Sequence, residues 1–156
     1  MNRIQIPDVR LSENFTLYEM LRSEKAEQLD IDNTPNRSAL ENLRLLVGWL
    51  ESVRALLGVP MEISSGYRCL LLNRVVGSKD TSDHLLGLAA DFTAPQLGTP
   101  EDVCRRLVAS DIPYKQLIFE HTWVHISFDP ITATPKRQVL TLNVHGGYDL
   151  GIVSRA

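Results

Sequence analysis

The chain has 156 residues, of which 44% are hydrophobic and 22% charged, and its formal net charge is −3. Such a composition indicates a soluble globular protein, and the length fits one domain, with a core at about residues 11–145, that needs no disulfide support. No apolar run approaches the ~18 residues of a membrane span, and no lysine or arginine stripe indicates nucleic-acid binding.

The N-terminal residues 1–15 lack the basic start and apolar stretch of a secretory signal. We therefore expect a protein that is made in the cytoplasm, and we expect it to be a monomer. The two cysteines, Cys69 and Cys104, are too few for a thiolate zinc cluster, and we expect buried free thiols.

The first part of the chain predicts one short helix and a linker. Thr16 followed by Glu19 has the pattern of a capping box, which predicts a helix that runs to about Arg22. Residues 23–36 are rich in turn formers and show no periodic apolar face, so we expect a linker without regular structure.

The sequence predicts a long helix at about residues 38–57, where apolar residues repeat at intervals of three and four and Gly58 provides a stop. The sequence of residues 70–76 indicates a helical turn or two. Thr99 as the capping residue and Pro100 at the first helical position predict the start of a further helix.

The remaining apolar segments predict strands, at residues 61–64, 86–92, 117–120, 123–128 and 139–144. Together with the helices they predict an α+β fold with a small antiparallel sheet. We expect a tail of uncertain order after Gly147.

Two of the predicted strands are adjacent and suggest a hairpin with residues 121–122 between them. A two-residue loop would place Ile118, Glu120, Trp123 and His125 on one face of the sheet. A loop one residue longer would turn Glu120 to the other face, so the position of Glu120 depends on the register.

Three residues suggest a metal site: His84 and Asp91 lie close together in the sequence, and His125 follows on a predicted strand. Two imidazoles and one carboxylate leave the fourth position of a tetrahedral zinc ion free, as catalytic zinc sites do. The alternative is that His84 and Asp91 form a pair without a metal. This alternative stays open because the spacing is less specific for a metal site than H-E-x-x-H.

Other candidate residues each have a structural alternative. Arg68 follows a glycine that permits a tight turn into a cleft, but it suits a structural ion pair as well. Ser82 either supports the site or only caps the turn before His84. Trp123 either forms a wall of the site or fills the core, and His145 has no pattern that supports a role.

The motif Ser-x-His-x-x-Gly-x-Ala-x-Asp at residues 82–91, with residues 64–68 before it and residues 123–125 after it, resembles the M15 zinc peptidases. These are D-alanyl-D-alanine carboxypeptidases and peptidoglycan endopeptidases, related in fold to the hedgehog signalling domain. Residues 15–19, 31–35 and 71–77 are similar to the short phage and prophage branch.

The resemblance implies a single bound zinc ion, with His84, Asp91 and His125 as its ligands. It also implies that Glu120 is the general base, that Arg68 holds a substrate carboxylate or carbonyl, and that Ser82 lies near the substrate. In the family, the number of residues between the acidic residue and the last histidine varies. His121 and Asp129 are therefore the substitutes if Glu120 points away.

The implied function is a zinc-dependent peptidase that hydrolyses peptidoglycan stem peptides, as a phage or prophage lytic enzyme or a virion component acting on the cell wall. The alternatives are a zinc-holding module that binds cell wall without cleaving it and a structural phage protein. The resemblance does not indicate which peptide bond is cleaved.

Overall fold

The computed structural model describes residues 8–154, so residues 1–7 of the N-terminal segment considered above lie outside it. Its helices are α1 (Leu17–Leu21), α2 (Glu24–Leu29), α3 (Arg37–Leu57), α4 (Leu70–Val75), a 3-10 helix (Asp83–Leu86) and α5 (Pro100–Val108). Its strands are β1 (Glu62–Ser65), β2 (Ala89–Thr93), β3 (Gln116–Phe119), β4 (Val124–Ser127), β5 (Gln138–Leu142) and β6 (Tyr148–Leu150). None of the described helices has the length and apolar character needed to cross a membrane.

The six strands form one sheet in the order β1-β2-β4-β3-β5-β6. This confirms the predicted α+β fold, but the sheet is mixed, because β3 and β5 are parallel while all other neighbours are antiparallel. Both edges of β4 are occupied, by β2 and β3, so β5 does not pair with β4 and joins the sheet at the free edge of β3. It enters there in the same direction as β3.

The sheet separates the hydrophobic core from a cleft. Alternate residues of β2, β3 and β4 belong to the core cluster, together with the apolar face of α3. Because neighbouring strand residues point to opposite faces, the residues between them face the other way. These are Asp91, Ile118 and His125.

The capping residues predicted for the helices are confirmed. Thr16 with Glu19, and Thr99 with Asp102, each form a complete capping box. The predicted long helix is also confirmed and ends at Gly58, which adopts a left-handed conformation with φ of 69°.

Three local expectations were wrong. The segment predicted as a linker contains α2, a helix of six residues that is too short to show an apolar period and is capped by Ser23. The strand expected from residue 86 begins only at Ala89, because Gly87 closes the 3-10 helix. The tail after Gly147 contains β6, which pairs with β5.

We expect Leu50→Ala to lower the free energy of unfolding by about 2–5 kcal/mol, because it opens a cavity between α3 and the sheet. Leu50 is fully buried, whereas Leu45 on the same helix is 49% exposed. Leu45→Ala is therefore the control, and it should change the free energy by less than about 0.5 kcal/mol. Urea unfolding of both variants measures this, and equal losses would show that α3 does not pack as described.

Candidate metal centre and cleft

The three candidate ligands meet on the cleft face of the sheet. Asp91 in β2 lies directly opposite His125 in β4, and the 3-10 helix places His84 beside them. Asp91 Oδ1 is 3.2 Å from His84 Nε2 and 2.9 Å from His125 Nδ1. All three side chains are buried, and their ligand atoms lie within 4.8 Å of one another.

The orientation of His84 leaves a lone pair facing a carboxylate. His84 Nδ1 is 2.6 Å from the carbonyl oxygen of Gly66, which can only accept, so Nδ1 carries the proton and donates it. Burial, opposed by the charge of Asp91, lowers the pKa of His84, which favours the neutral ring. Nε2 therefore faces Asp91, and the contact is favourable when a proton or a metal ion lies between the two atoms.

The other two groups have the charges that a cation needs. Burial by itself would raise the pKa of Asp91, but the charge of His84 and the hydrogen bonds from both imidazoles hold this pKa far below its usual range. Burial would lower the pKa of His125, yet its hydrogen bond to Asp91 raises it. A metal ion would displace the protons that the imidazoles share with Asp91, since ligands bind metal in their deprotonated form.

The spacing fits a small divalent cation. In a tetrahedral site with bonds of about 2.1 Å, neighbouring ligand atoms lie about 3.4 Å apart. The two distances to Asp91 Oδ1 are close to that value. The donor set, two nitrogens and one carboxylate oxygen, is one that zinc accepts.

The 3-10 helix that carries His84 is held on three sides. The Ser82 side chain accepts a hydrogen bond from the backbone N–H of His84, and Ser82 also lines the cleft. A Cβ atom on Gly87 would lie 2.6 Å from the carbonyl oxygen of Ala39 in α3, so the helix end rests directly on α3. Lys115, just before β3, donates to both carboxylate oxygens of Asp83 at 2.8 and 2.9 Å.

Gly66 is a residue that the sequence analysis treated only as a turn former. Its carbonyl oxygen orients His84, and a Cβ atom at this position would lie 2.4 Å from the carbonyl oxygen of Met20. The backbone N–H of Tyr67 donates to that same Met20 oxygen. Glycine is therefore required by the close approach of two backbone segments, which only the folded chain reveals.

The register of the β3–β4 hairpin is the one that places Glu120 in the cleft. Ile118 lies opposite His125, and the backbone N–H of Glu120 donates to the carbonyl oxygen of Trp123. The hairpin turns at His121, whose φ is 64°, and the N–H of Thr122 donates to the carbonyl oxygen of Glu120, as in a γ-turn. Of the two loop lengths that the sequence left open, the structure has the two-residue loop.

The Glu120 carboxyl is half-buried and held by a tryptophan. The indole N–H of Trp123 donates to Glu120 Oε2 at 2.6 Å. Burial and then the charge of Asp91 raise the pKa of Glu120, although His125, Trp123 and Arg68 oppose the shift. Trp123 is 37% exposed and lines the cleft, so it forms part of the wall and does not fill the core.

Arg68 lines the same cleft but forms no ion pair within residues 8–154. Its Nε is buried and has no hydrogen-bond partner in the described chain. Burial lowers the pKa of Arg68, while the carboxylates of Asp91 and Glu120 raise it. The part of the half-buried guanidinium that lines the cleft is able to bind an acceptor from outside the protein.

The substitutes considered for Glu120 lie elsewhere. His121 Nε2 bonds to the carbonyl oxygen of Leu142, and Asp129 Oδ1 accepts from the N–H of Ile131. Neither residue lines the cleft, and His145 is exposed. Both cysteines are free, with Cys104 buried and Cys69 partly buried.

The cleft has a volume of about 660 Å³ and is open to solvent. One side is the polar segment that precedes His84, with Ser78, Lys79 and Thr81. The floor is formed by the sheet, where Ile118 and Leu140 provide an apolar surface next to His125. The cleft is therefore lined by both polar and apolar side chains.

The cleft holds two histidines and a carboxylate within bonding reach of one cation. A glutamate and an arginine that forms no ion pair in the described chain line the same cleft. These are the groups of a metal-dependent hydrolase. The family model of peptidase M15 matches residues 13–127, which is most of the chain. The chain belongs to the peptidase M15 family. A comparison with curated proteins finds no match.

We expect His84→Ala to abolish binding of one divalent metal ion, because it removes a buried nitrogen from a set of only three ligands. The exposed His145→Ala variant is the control and should keep its metal. Metal content of both purified proteins, measured by plasma mass spectrometry after loading with zinc and desalting, checks this. Full zinc retention by a folded His84→Ala variant would show that the ion lies elsewhere.

Proposed function

We propose that the protein is a zinc-dependent peptidase that hydrolyses amide bonds in the stem peptides of peptidoglycan. The observation that carries the proposal is the cluster of His84, Asp91 and His125 in the cleft of a chain that belongs to a peptidase family. The resemblance to the phage and prophage branch supports a lytic or virion-associated role at the cell wall, and we propose that the described domain works as a monomer.

His84, Asp91 and His125 hold the metal in this proposal. A zinc ion held by these three residues would supply the Lewis acidity that activates water for attack on an amide carbonyl. The carbonyl of Gly66 keeps His84 in the tautomer that presents Nε2. The 3.2 Å between His84 Nε2 and Asp91 Oδ1, close to the spacing of two ligand atoms on one ion, supports this assignment.

Glu120 acts as the general base and acid. Its Oε2 is occupied by the indole of Trp123, so Oε1 is the atom that takes the proton of the attacking water and returns it to the leaving amine nitrogen. A carboxyl group with a raised pKa performs both transfers better than an ordinary glutamate, because its pKa is closer to the working pH.

Arg68 orients the substrate. The planar guanidinium binds a carboxylate with two parallel hydrogen bonds, or a carbonyl with one, and its buried Nε has no partner in the described chain. The apolar floor at Ile118 and Leu140 suits small side chains such as the alanines of stem peptides. Both a carboxypeptidase and an endopeptidase are compatible with these contacts, and mass spectrometry of the released fragments separates them.

We expect the protein to release amines from purified peptidoglycan, to lose this activity with a chelator and to regain it with zinc. Glu120→Gln should lower the rate by a factor of about 10²–10⁴, because proton transfer is lost while the metal stays bound. The exposed Glu27→Gln variant is the control and should cleave at the wild-type rate.

Two outcomes separate the proposal from its alternatives. A zinc-loaded wild type that leaves walls of several chemical types intact would contradict a peptidase that acts on peptidoglycan. If that inactive protein still sedimented with purified walls, it would be a zinc-holding binding module.

A further inference from the structure

The hairpin formed by β5 and β6 is part of the cleft, although it follows the segment that the family model matches. That segment ends at residue 127, whereas β5 begins at Gln138. Leu140 and the segment Gly146, Gly147 and Tyr148 line the same cleft as His84 and His125. The chain therefore completes its candidate site with residues from outside the matched part.

The register places the Tyr148 side chain on the cleft face of the sheet. Ile118 lies opposite His125 on one side and opposite Leu140 on the other, so these three side chains share a face. Leu142 lies two residues beyond Leu140 and pairs with Tyr148. Because side chains alternate along a strand, Leu142 and Tyr148 share that face as well.

The turn before Tyr148 is held in one conformation by Asn143. Its Oδ1 accepts hydrogen bonds from the backbone N–H groups of His145 and Gly147, each at 3.0 Å. Its own N–H donates to the carbonyl oxygen of Gly147. The position of Tyr148 is thus defined before any ligand binds.

The same hairpin is attached to the turn that carries Glu120. The ring of His121, which follows Glu120, bonds through Nε2 to the carbonyl oxygen of Leu142 at 2.7 Å. Since Leu142 pairs with Tyr148, one hydrogen bond joins the Glu120 turn to the strand pair that carries Tyr148. The geometry between Glu120 and Tyr148 is therefore maintained by the protein.

The phenol is a free donor that lies near the acidic groups of the site. Tyr148 lines the cleft with Glu120 and Asp91, and burial, followed by the charges of these two carboxylates, raises the pKa of Tyr148, so its hydroxyl keeps its proton. Tyr148 is 47% exposed, and its hydroxyl forms no hydrogen bond within the described residues 8–154. A ligand in the cleft can reach it.

We propose that Tyr148 is a substrate-binding residue, whose hydroxyl donates a hydrogen bond to a main-chain carbonyl oxygen of a peptide bound in the cleft. The inference rests on the proposed peptidase function and adds to it a donor that is independent of the metal and of Arg68. A phenol suits this task because it is neutral and rigid, and it offers one proton to an acceptor.

The test compares wild type, Tyr148→Phe and Tyr18→Phe on a synthetic stem pentapeptide, L-Ala-D-Glu-L-Lys-D-Ala-D-Ala, and on purified peptidoglycan. Tyr148→Phe removes only the hydroxyl, so zinc content and thermal midpoint should stay unchanged. We expect kcat/KM to fall about five- to tenfold, mainly through KM, as for the loss of one hydrogen bond. Tyr18 lies in α1 and is similarly exposed but outside the cleft, so its variant should match wild type.

A binding measurement keeps this inference separate from the proposed function. Zinc-loaded Glu120→Gln protein, with and without Tyr148→Phe, is titrated with the same pentapeptide by calorimetry, and the double variant should bind about five- to tenfold more weakly. The inference would be overturned if Tyr148→Phe changed kcat/KM and Kd by less than twofold, relative to the same protein with Tyr148 intact. If wild type cleaves nothing, the proposed function fails and the calorimetric comparison alone decides the role of Tyr148.

Discussion

The structure depends on one crowded contact, in which the buried carboxylate of Asp91 faces the nitrogens of two imidazoles. The Gly66 carbonyl accepts a hydrogen bond from Nδ1 of His84, so Nε2 faces Asp91 across 3.2 Å. In a buried site of low polarity such a contact is costly unless a proton or a cation lies between the two groups. A single cation among the three groups would balance the negative charge of Asp91.

The sheet makes this contact possible by dividing the molecule. Its one face packs on α3 and forms the core, while its other face carries Asp91 and His125 as cross-strand neighbours. His84 reaches them because the 3-10 helix rests on α3 through Gly87. Packing energy from the core thus holds polar groups in positions that they would not adopt by themselves.

Some local features were predictable from the sequence, whereas contacts between distant segments were harder to foresee. The capping roles of Thr16 and Thr99 depend on neighbours in the chain and are confirmed, while the sequence left the register of the β3–β4 hairpin open. The parallel pairing of β3 with β5 joins two strands that are not consecutive in the chain. The roles of the Gly66 carbonyl and of Tyr148 depend on contacts with distant segments, for which no short motif exists.

The most direct test of the central claim is a crystal structure of the zinc-loaded protein with anomalous data collected on both sides of the zinc absorption edge. The account predicts one strong anomalous peak about 2.0–2.2 Å from His84 Nε2, a carboxylate oxygen of Asp91 and a ring nitrogen of His125. The absence of a peak at these residues, or a peak at other side chains, would contradict it.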